Sequence, residues 1–398
     1  MSNIVFKRDL LEKMLSFTRQ HSSVFQALVG PRQVGKTTLA RQLMEDVAMP
    51  SLYATADTPL PPGPEWVETQ WRQAQVKAAE AKGPVLLVLD EIQKVRGWSE
   101  VLKRLWDASV AGENRIRLLI LGSSSLLLYA GLSESLSGRF FLHRCPHWSF
   151  NECRQAFSWS LDTWLFFGGY PGSAGFIGHS SEWKQYVSDS LIETVLARDV
   201  LQMQHVGKPA LLRHLFILSA AYPAQILSFN KMLGQLQDAG NTTTLANYLS
   251  LLESAFLVSG LMRFSKGEVR RRGSSPKLIL WNNALVNALN QRSFAEACSD
   301  STWWGRLVEN AVGAHLLNGL QSASAKVSYW REGSEEVDFV VEMGTSIWAI
   351  EVKSGRSHKL SGLAGFRRRW PEAQVLVVGG EGMPLSDFFE TPPGKLFS

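Results

Sequence analysis

Gly30-Pro31-Arg32-Gln33-Val34-Gly35-Lys36-Thr37 follows the apolar run Val24 to Val29 and opens the helical pattern Lys36 to Met44. In that setting the spacing G-x-x-x-x-G-K-T reads as a phosphate-binding loop. Glycines let backbone N–H groups converge on an anion, a helix N-terminus faces the same point, and a lysine adds a full charge. The spacing assigns Lys36 to the β- and γ-phosphates of ATP, the Thr37 hydroxyl to Mg²⁺, and the backbone from Gly30 to Thr38 to the nucleotide. A glycine-rich turn without function has the same letters, and the strand before it and the helix after it separate the two readings.

Working outward, Val85 to Leu89 is a second buried strand, and it ends in Asp90-Glu91. Asp90 is expected to hold Mg²⁺ through water, and Glu91 to act as the base that orients an attacking water. Leu118 to Leu121 reads as another strand, and the Pro-rich Thr55 to Pro64 as a loop. Strands alternating with helical patterns over the first 145 residues specify a parallel α/β sheet. From Trp148 to about His205 the pattern is helical, broken by Phe167-Gly168-Gly169-Tyr170-Pro171-Gly172, and reads as a helical lid. Helix-like stretches near Ala210 to Ala221, Phe229 to Ala239 and Thr243 to Ser254 precede two strands around a basic loop, the layout of a winged helix. Beyond Trp303 come a helix, strands at Val337 to Glu342 and Ile347 to Val352, a helix, and a strand at Val375 to Val378. Three domains follow, 1–206, 207–290 and 291–398.

The 398-residue chain is 45% hydrophobic and 19% charged, against about 25% charged in an average globular chain. Its 14 Trp and 20 Phe imply large apolar surfaces buried between domains or subunits. No run reaches the roughly 18 apolar residues of a membrane span, and the first residues lack a signal-peptide apolar block. Three cysteines suit a reducing compartment, so a cytoplasmic protein is expected. His143, Cys145, His147 and Cys153 lack a second close-spaced pair and read as buried packing rather than a zinc site. The net charge of +5 is local: between residues 260 and 280, six basic residues stand against Glu268 alone.

The run Asp90-Glu91-Ile92-Gln93-Lys94-Val95, with Gly97-Trp98, Gly122-Ser123-Ser124 and Gly138-Arg139-Phe140, resembles a prokaryotic group of AAA+ ATPases whose C-terminal domain carries nuclease-like motifs. The resemblance covers nearly the whole chain. It implies that Ser123 or Ser124 senses the γ-phosphate and that Arg139 is an arginine finger offered to a neighbouring subunit. A finger used in trans requires a ring or open spiral of copies. Read without the resemblance, Arg139 is a surface ion-pair partner.

Two further regions bear on partners. The third helix of the winged-helix region, Thr242 to Leu249, has no Lys or Arg, so sequence-specific reading of a DNA groove is not expected. Its hairpin holds Lys266, Arg270, Arg271, Arg272 and Lys277, suited to DNA phosphates, though a solvated loop has the same composition. Nearer the C-terminus, Glu309 lies on a helix, Asp338 on a strand, and Glu351-Val352-Lys353 on the next strand. Such acids can hold Mg²⁺ or Mn²⁺, with Asp338 and Glu351 as ligands, Glu309 as a further ligand or water-positioning group, and Lys353 activating water. The set resembles the PD-(D/E)xK nuclease superfamily, with an Asp-to-Glu-x-Lys spacing similar to archaeal Holliday-junction resolvases, and implies a restriction-endonuclease-like α/β domain. Two functions fit: an oligomeric AAA+ ATPase that remodels or translocates DNA, including branched DNA, with possible cleavage; or a nucleotide-switched signalling or scaffold NTPase whose C-terminal domain is catalytically dead.

Overall fold

A computed structural model describes residues 6–110, 115–122, 132, 135–200, 206–236, 240–265, 275–321, 324–353, 355 and 361–397, the side chains of 198 and 199 excepted. It divides into two compact units, Met1–Pro146 and His147–Ser398.

In the first unit, β1 (Phe25–Val29), β2 (Ser51–Thr55), β3 (Val85–Asp90), β4 (Ile116–Gly122) and β5 (Phe140–Arg144) form one parallel sheet in the order β2-β3-β4-β1-β5. Every residue of β1 and β3 is buried, as expected of strands covered on both faces. Helices α1 (Leu10–Gln20) and α2 (Lys36–Asp46) pack on one another, as do α3 (Glu65–Ala81) and α4 (Trp98–Val110). Val67 and Trp71 of α3 and Leu102 and Trp106 of α4 share a core with Phe25, Ala27, Val29, Leu87 and Leu89. Phe25 and Trp71 each meet Trp106 edge-on. Strand β4 stands between β1 and β3, with Val29 level with Gly122 and Leu89 level with Ile120. Both functional strand ends therefore open on the same edge of the sheet, where open α/β sheets bind ligands.

The second unit begins with helices Phe150–Phe157 and Leu161–Phe167, then a 3₁₀ turn, a short helix and two π-helical stretches, Tyr186–Ile192 and Val195–Val200. Helices α5 (Pro209–Ala221), α6 (Phe229–Gln235) and α7 (Thr242–Ser254) lead to the antiparallel pair β6 (Val258–Leu261) and β7 (Lys277–Leu280). After α8 (Ser301–Leu320), β8 (Ala325–Glu332), β9 (Glu335–Met343), β10 (Ser346–Lys353) and β11 (Gln374–Gly379) form a mixed sheet in the order β11-β10-β9-β8. Helix α9 (Ser361–Arg369) lies between β10 and β11 in the chain and packs on β9 and β10. Strands β2 and β8 are additions to the expected set. β2 is only half-buried along its length, and β8 buries only three central residues, so neither shows a clear apolar run.

The domain boundaries expected from the sequence are 206 and 290. A network of buried asparagine amides runs through the segments on either side of them. Asn310 of α8 donates to Leu280 O and accepts from Leu280 N at 3.0 and 2.9 Å, so it acts as a strand partner to β7. It also donates to Asn283 Oδ1, and Asn283 donates to Leu165 O and Leu307 O. Asn287 donates to Phe166 O, and Asn282 Oδ1 accepts from Gly169 N. Each amide satisfies main-chain groups from elsewhere, which makes separation costly. The tryptophans, expected at surfaces between domains or subunits, include several that serve cores inside one unit. Trp71 and Trp106 do so in the first, and Trp330 with Phe264, Phe366 and Trp370 in the second. Among the described residues, no helix is long and apolar enough to cross a membrane.

Asn310→Ala strips partners from both main-chain groups of Leu280 and from Asn283. It should lower the stability of the second unit by about 3 kcal/mol, seen as an earlier urea transition of the full-length protein. An unchanged transition would mean that the network contributes nothing.

Candidate functional site

The phosphate loop leaves β1 at Gly30, where close approach dictates the residue. A Cβ there would lie 2.0 Å from the carbonyl oxygen of Cys145, which follows the neighbouring strand β5. Gly35 has φ +90°, with open space where its Cβ would be, and it caps α2 without a side chain. The first N–H groups of α2 are thus left for an anion. Lys36 is buried, and its ammonium donates to Gly30 O at 2.9 Å and Pro31 O at 2.7 Å, folded onto the loop it belongs to. Burial lowers its pKa, as expected of a cation removed from water without a full counter-charge. A side chain held this way has much to gain from an anion. Pro31 and Val34 are buried, Gln33 and Thr38 are exposed, and Arg32 lies between.

The Thr37 hydroxyl donates to Asp90 Oδ2 at 3.0 Å, which joins the start of α2 to the end of β3. Asp90 is buried, and its Oδ1 accepts from Glu91 N at 2.9 Å. A third donor, absent from the sequence reading, is Tyr53 of β2, whose hydroxyl reaches the same Oδ2 at 2.6 Å. Burial and this bond to Asp90 raise its pKa, so the phenol stays protonated. Tyrosine is common on strands and gave no signal of this contact. Glu91 has φ +54°, a left-handed backbone that a non-glycine residue adopts only when its surroundings enforce it. Gln93 Nε2 then donates to Glu91 Oε2 at 2.6 Å. A hydroxyl and a carboxylate 3.0 Å apart, beside an open helix N-terminus and a buried lysine, suit Mg²⁺ and a nucleoside triphosphate.

Ser123 and Ser124 lie outside the described residues. Arg139 is placed, and its Nε and Nη2 grip the two carboxylate oxygens of Asp107 on α4 at 2.6 and 2.8 Å, with Nη1 on Ser137 O. It is partly exposed and engaged with α4 rather than with the loop. Cys145, His143, His147 and Cys153 are all buried.

The C-terminal set requires correction. Lys277, expected to touch DNA phosphates from the hairpin tip, is the first residue of β7 and has no exposed side-chain surface. Its ammonium lies 2.6 Å from Glu309 Oε1, 3.5 Å from Asp338 Oδ1 and 3.9 Å from Glu336 Oε1, donates to Asp338 O, and sits 4.8 Å from the Phe339 ring centre. The cation expected among these acids is thus a lysine. Other oxygens are also occupied. Asp338 Oδ2 accepts from Val352 N at 2.8 Å, Arg306 lies 3.6 Å from Glu309 Oε2, and Lys353 pairs with Glu351 Oε1 at 2.5 Å. Lysines thus take Glu309 Oε1, Asp338 Oδ1 and Glu351 Oε1, where the sequence reading placed a divalent ion, while Glu351 Oε2 is buried without a hydrogen-bond partner. Among the described residues, no group of three or more His, Cys, Asp or Glu is placed to hold a metal ion. Lys266, Arg270, Arg271 and Arg272 lie outside the described residues.

A sequence-family model for an AAA domain matches residues 23–154, the segment that holds the whole phosphate site. Two domains of unknown function, DUF8612 and DUF4143, match residues 158–296 and 304–391. An uncharacterized protein of Mycobacterium tuberculosis is 28% identical over 378 residues, spanning 92% of this chain and 79% of its own length. An uncharacterized protein of Haemophilus influenzae is 22% identical over 372 residues, spanning 88% of this chain and 86% of its own. Among solved structures, the chain is similar to the Walker-type ATPase PABY2304 of Pyrococcus abyssi, at 14% identity and a TM-score of 0.48, over 72% of this chain and 97% of that one.

The buried acids give the second unit a pH dependence. Burial pushes Glu309 up to about 7 despite Lys277, and burial with nearby Asp338 pushes Glu351 up to about 7 despite Lys353. A carboxyl whose pKa rises on folding stabilises the fold below its ordinary value of 4.5, and this contribution is lost as the pH rises through about 7. Lys277→Met removes the internal cation and should cost about 3–5 kcal/mol at pH 8. The loss should shrink at pH 5.5 as the stranded acids take up protons. Urea unfolding at the two pH values measures this, and an equal loss at both would remove Lys277 from the balance.

Proposed function

We propose that this protein is an AAA+ ATPase that assembles with copies of itself and uses ATP turnover to move or remodel DNA. The observation that carries the ATPase reading is the convergence of Lys36, Thr37, Asp90 and Glu91 on one edge of the parallel sheet. Lys36 exchanges the carbonyls of its own loop for phosphate oxygens, and the N–H groups at the start of α2 bind the same anion. Thr37 and Asp90 would hold Mg²⁺, which when bound neutralises charge on the β- and γ-phosphates. Glu91, steadied by Gln93, orients water and accepts its proton. Ser123 or Ser124 senses the γ-phosphate. Arg139, engaged by Asp107 and partly exposed, suits a finger presented to the next subunit, whose charge is added only on assembly.

The DNA part of the reading rests on charge. Lys266, Arg270, Arg271 and Arg272 remain the candidate phosphate contacts, in a winged-helix-like region of three helices and a two-stranded sheet. The C-terminal α/β region serves as a packing or assembly module without metal-dependent cleavage. Lys277 among Glu309, Asp338 and Glu336 favours that reading. It also supports the neighbouring idea of a nucleotide-switched scaffold, which stimulation of ATP turnover by DNA separates: a scaffold is indifferent to DNA.

Lys36→Ala should lose most ATP binding, while Glu91→Gln should bind ATP without turning it over. Arg139→Ala should bind ATP normally and lose about 10³-fold or more in turnover. Mixing it with Glu91→Gln should restore part of the rate, because one interface then pairs an intact Glu91 with an intact Arg139. Full turnover by both the Lys36 and Glu91 variants ends the ATPase reading, and full turnover by Arg139→Ala alone ends the finger.

Replacing Arg270, Arg271 and Arg272 with Ala should flatten the slope of log affinity for duplex DNA against log salt by about 0.9 for each phosphate no longer neutralised. An unchanged slope places DNA elsewhere on the protein.

A further inference from the structure

Asp90 is held by more than the phosphate loop. Its Oδ2 accepts from Thr37 at 3.0 Å and from Tyr53 at 2.6 Å, while its Oδ1 is occupied by the main chain of Glu91 at 2.9 Å. Tyr53 reaches Asp90 from the neighbouring strand, two residues before Thr55, which is level with Asp90 in the β2–β3 register. Two residues along a strand return to the same face of the sheet. Arg41, four residues after Thr37 and so on the same face of α2, places its guanidinium 5.9 Å from the centre of the Tyr53 ring. The tyrosine is thus fixed from the helix side and aims its hydroxyl at one carboxylate oxygen. The Thr37 oxygen would face the ion, whereas the Tyr53 hydroxyl is engaged within the protein, by Asp90 and by the Thr55 side chain.

We infer that Tyr53 is a positioning residue for the cation that accompanies the nucleotide: it fixes Asp90 and thereby sets the affinity for Mg²⁺. This rests on the ATPase reading above. Partners that orient a metal-binding carboxylate change metal affinity by about 10- to 100-fold when removed, and Tyr53→Phe removes one hydroxyl while keeping the ring.

The test measures binding of a fluorescent ATP analogue to the full-length protein, first with EDTA and then across a Mg²⁺ titration. Tyr53→Phe should bind the metal-free analogue like wild type and need about 10-fold more Mg²⁺ to reach half of the metal-dependent gain. In an Asp90→Asn background the same substitution should add nothing, since the acceptor it orients has lost its charge. A merely structural tyrosine would weaken both titrations alike, and that result overturns the inference, as does an unchanged Mg²⁺ midpoint. A wild-type protein that binds the analogue with no gain from Mg²⁺ also overturns the inference but spares the nucleotide site. A wild type that binds no analogue at all overturns the ATPase reading with it.

Discussion

A buried carboxylate needs donors on its oxygens, and in this protein that need draws one site together. Asp90 ends a wholly buried strand, and its charge is met by Thr37 from the helix after the phosphate loop, Tyr53 from the edge strand, and the main chain of Glu91. The insertion of β4 between β1 and β3 keeps loop and carboxylate on separate strands, so a side-chain bond has to span them. Glu91 follows with a left-handed backbone, a strain that ties its position to that of Asp90. Loop, candidate cation ligand and candidate base are therefore set by one local arrangement.

The second unit is organised by the opposite problem, a buried cation. Lys277 sits at the start of β7 with no exposed surface, and it is tolerable there only because Glu309 of α8 and Asp338 and Glu336 of β9 surround it. Helix α8 comes close enough for this because Gly313 faces β7 and β9. A Cβ at that position would stand 2.8 Å from the Phe339 ring and 2.9 Å from Ile279. The same helix supplies Asn310, which completes the hydrogen bonding of Leu280 in β7. Charge, amide and close packing converge on a single helix–strand contact. A cluster that resembles a metal site in sequence thus surrounds a buried lysine.

Exposed basic residues at the end of α9 show how local pairing changes the meaning of a charge run. Arg368 bonds Glu335, and Arg369 bonds Glu332 while lying over Trp370. They secure the β8–β9 turn against the helix. The segment containing Arg270, Arg271 and Arg272 has only Glu268 nearby in sequence, which is why the DNA proposal rests there.

The phosphate loop, Lys36, Thr37, Asp90-Glu91 and the parallel α/β character of the first unit were legible from sequence, because each depends on residues close together in the chain. Glycine spacing before a helix and an apolar strand ending in acids are local patterns with local physics. The order of strands, the hydroxyl of Tyr53 on Asp90 and the fork between Arg139 and Asp107 were not, since each joins residues brought together only by strand pairing or helix packing. The asparagine network likewise links residues that lie far apart in the chain, Leu165 to Gly169, Leu280 to Asn287 and Leu307 to Asn310. Lys277 carries the lesson furthest: in sequence it closes a run of basic residues and reads as a surface charge, and its neighbours Glu309 and Asp338 read as metal ligands. Only the tertiary structure decides that these belong together, because a lysine's partners are set by where its strand is buried and not by the charges beside it in the chain.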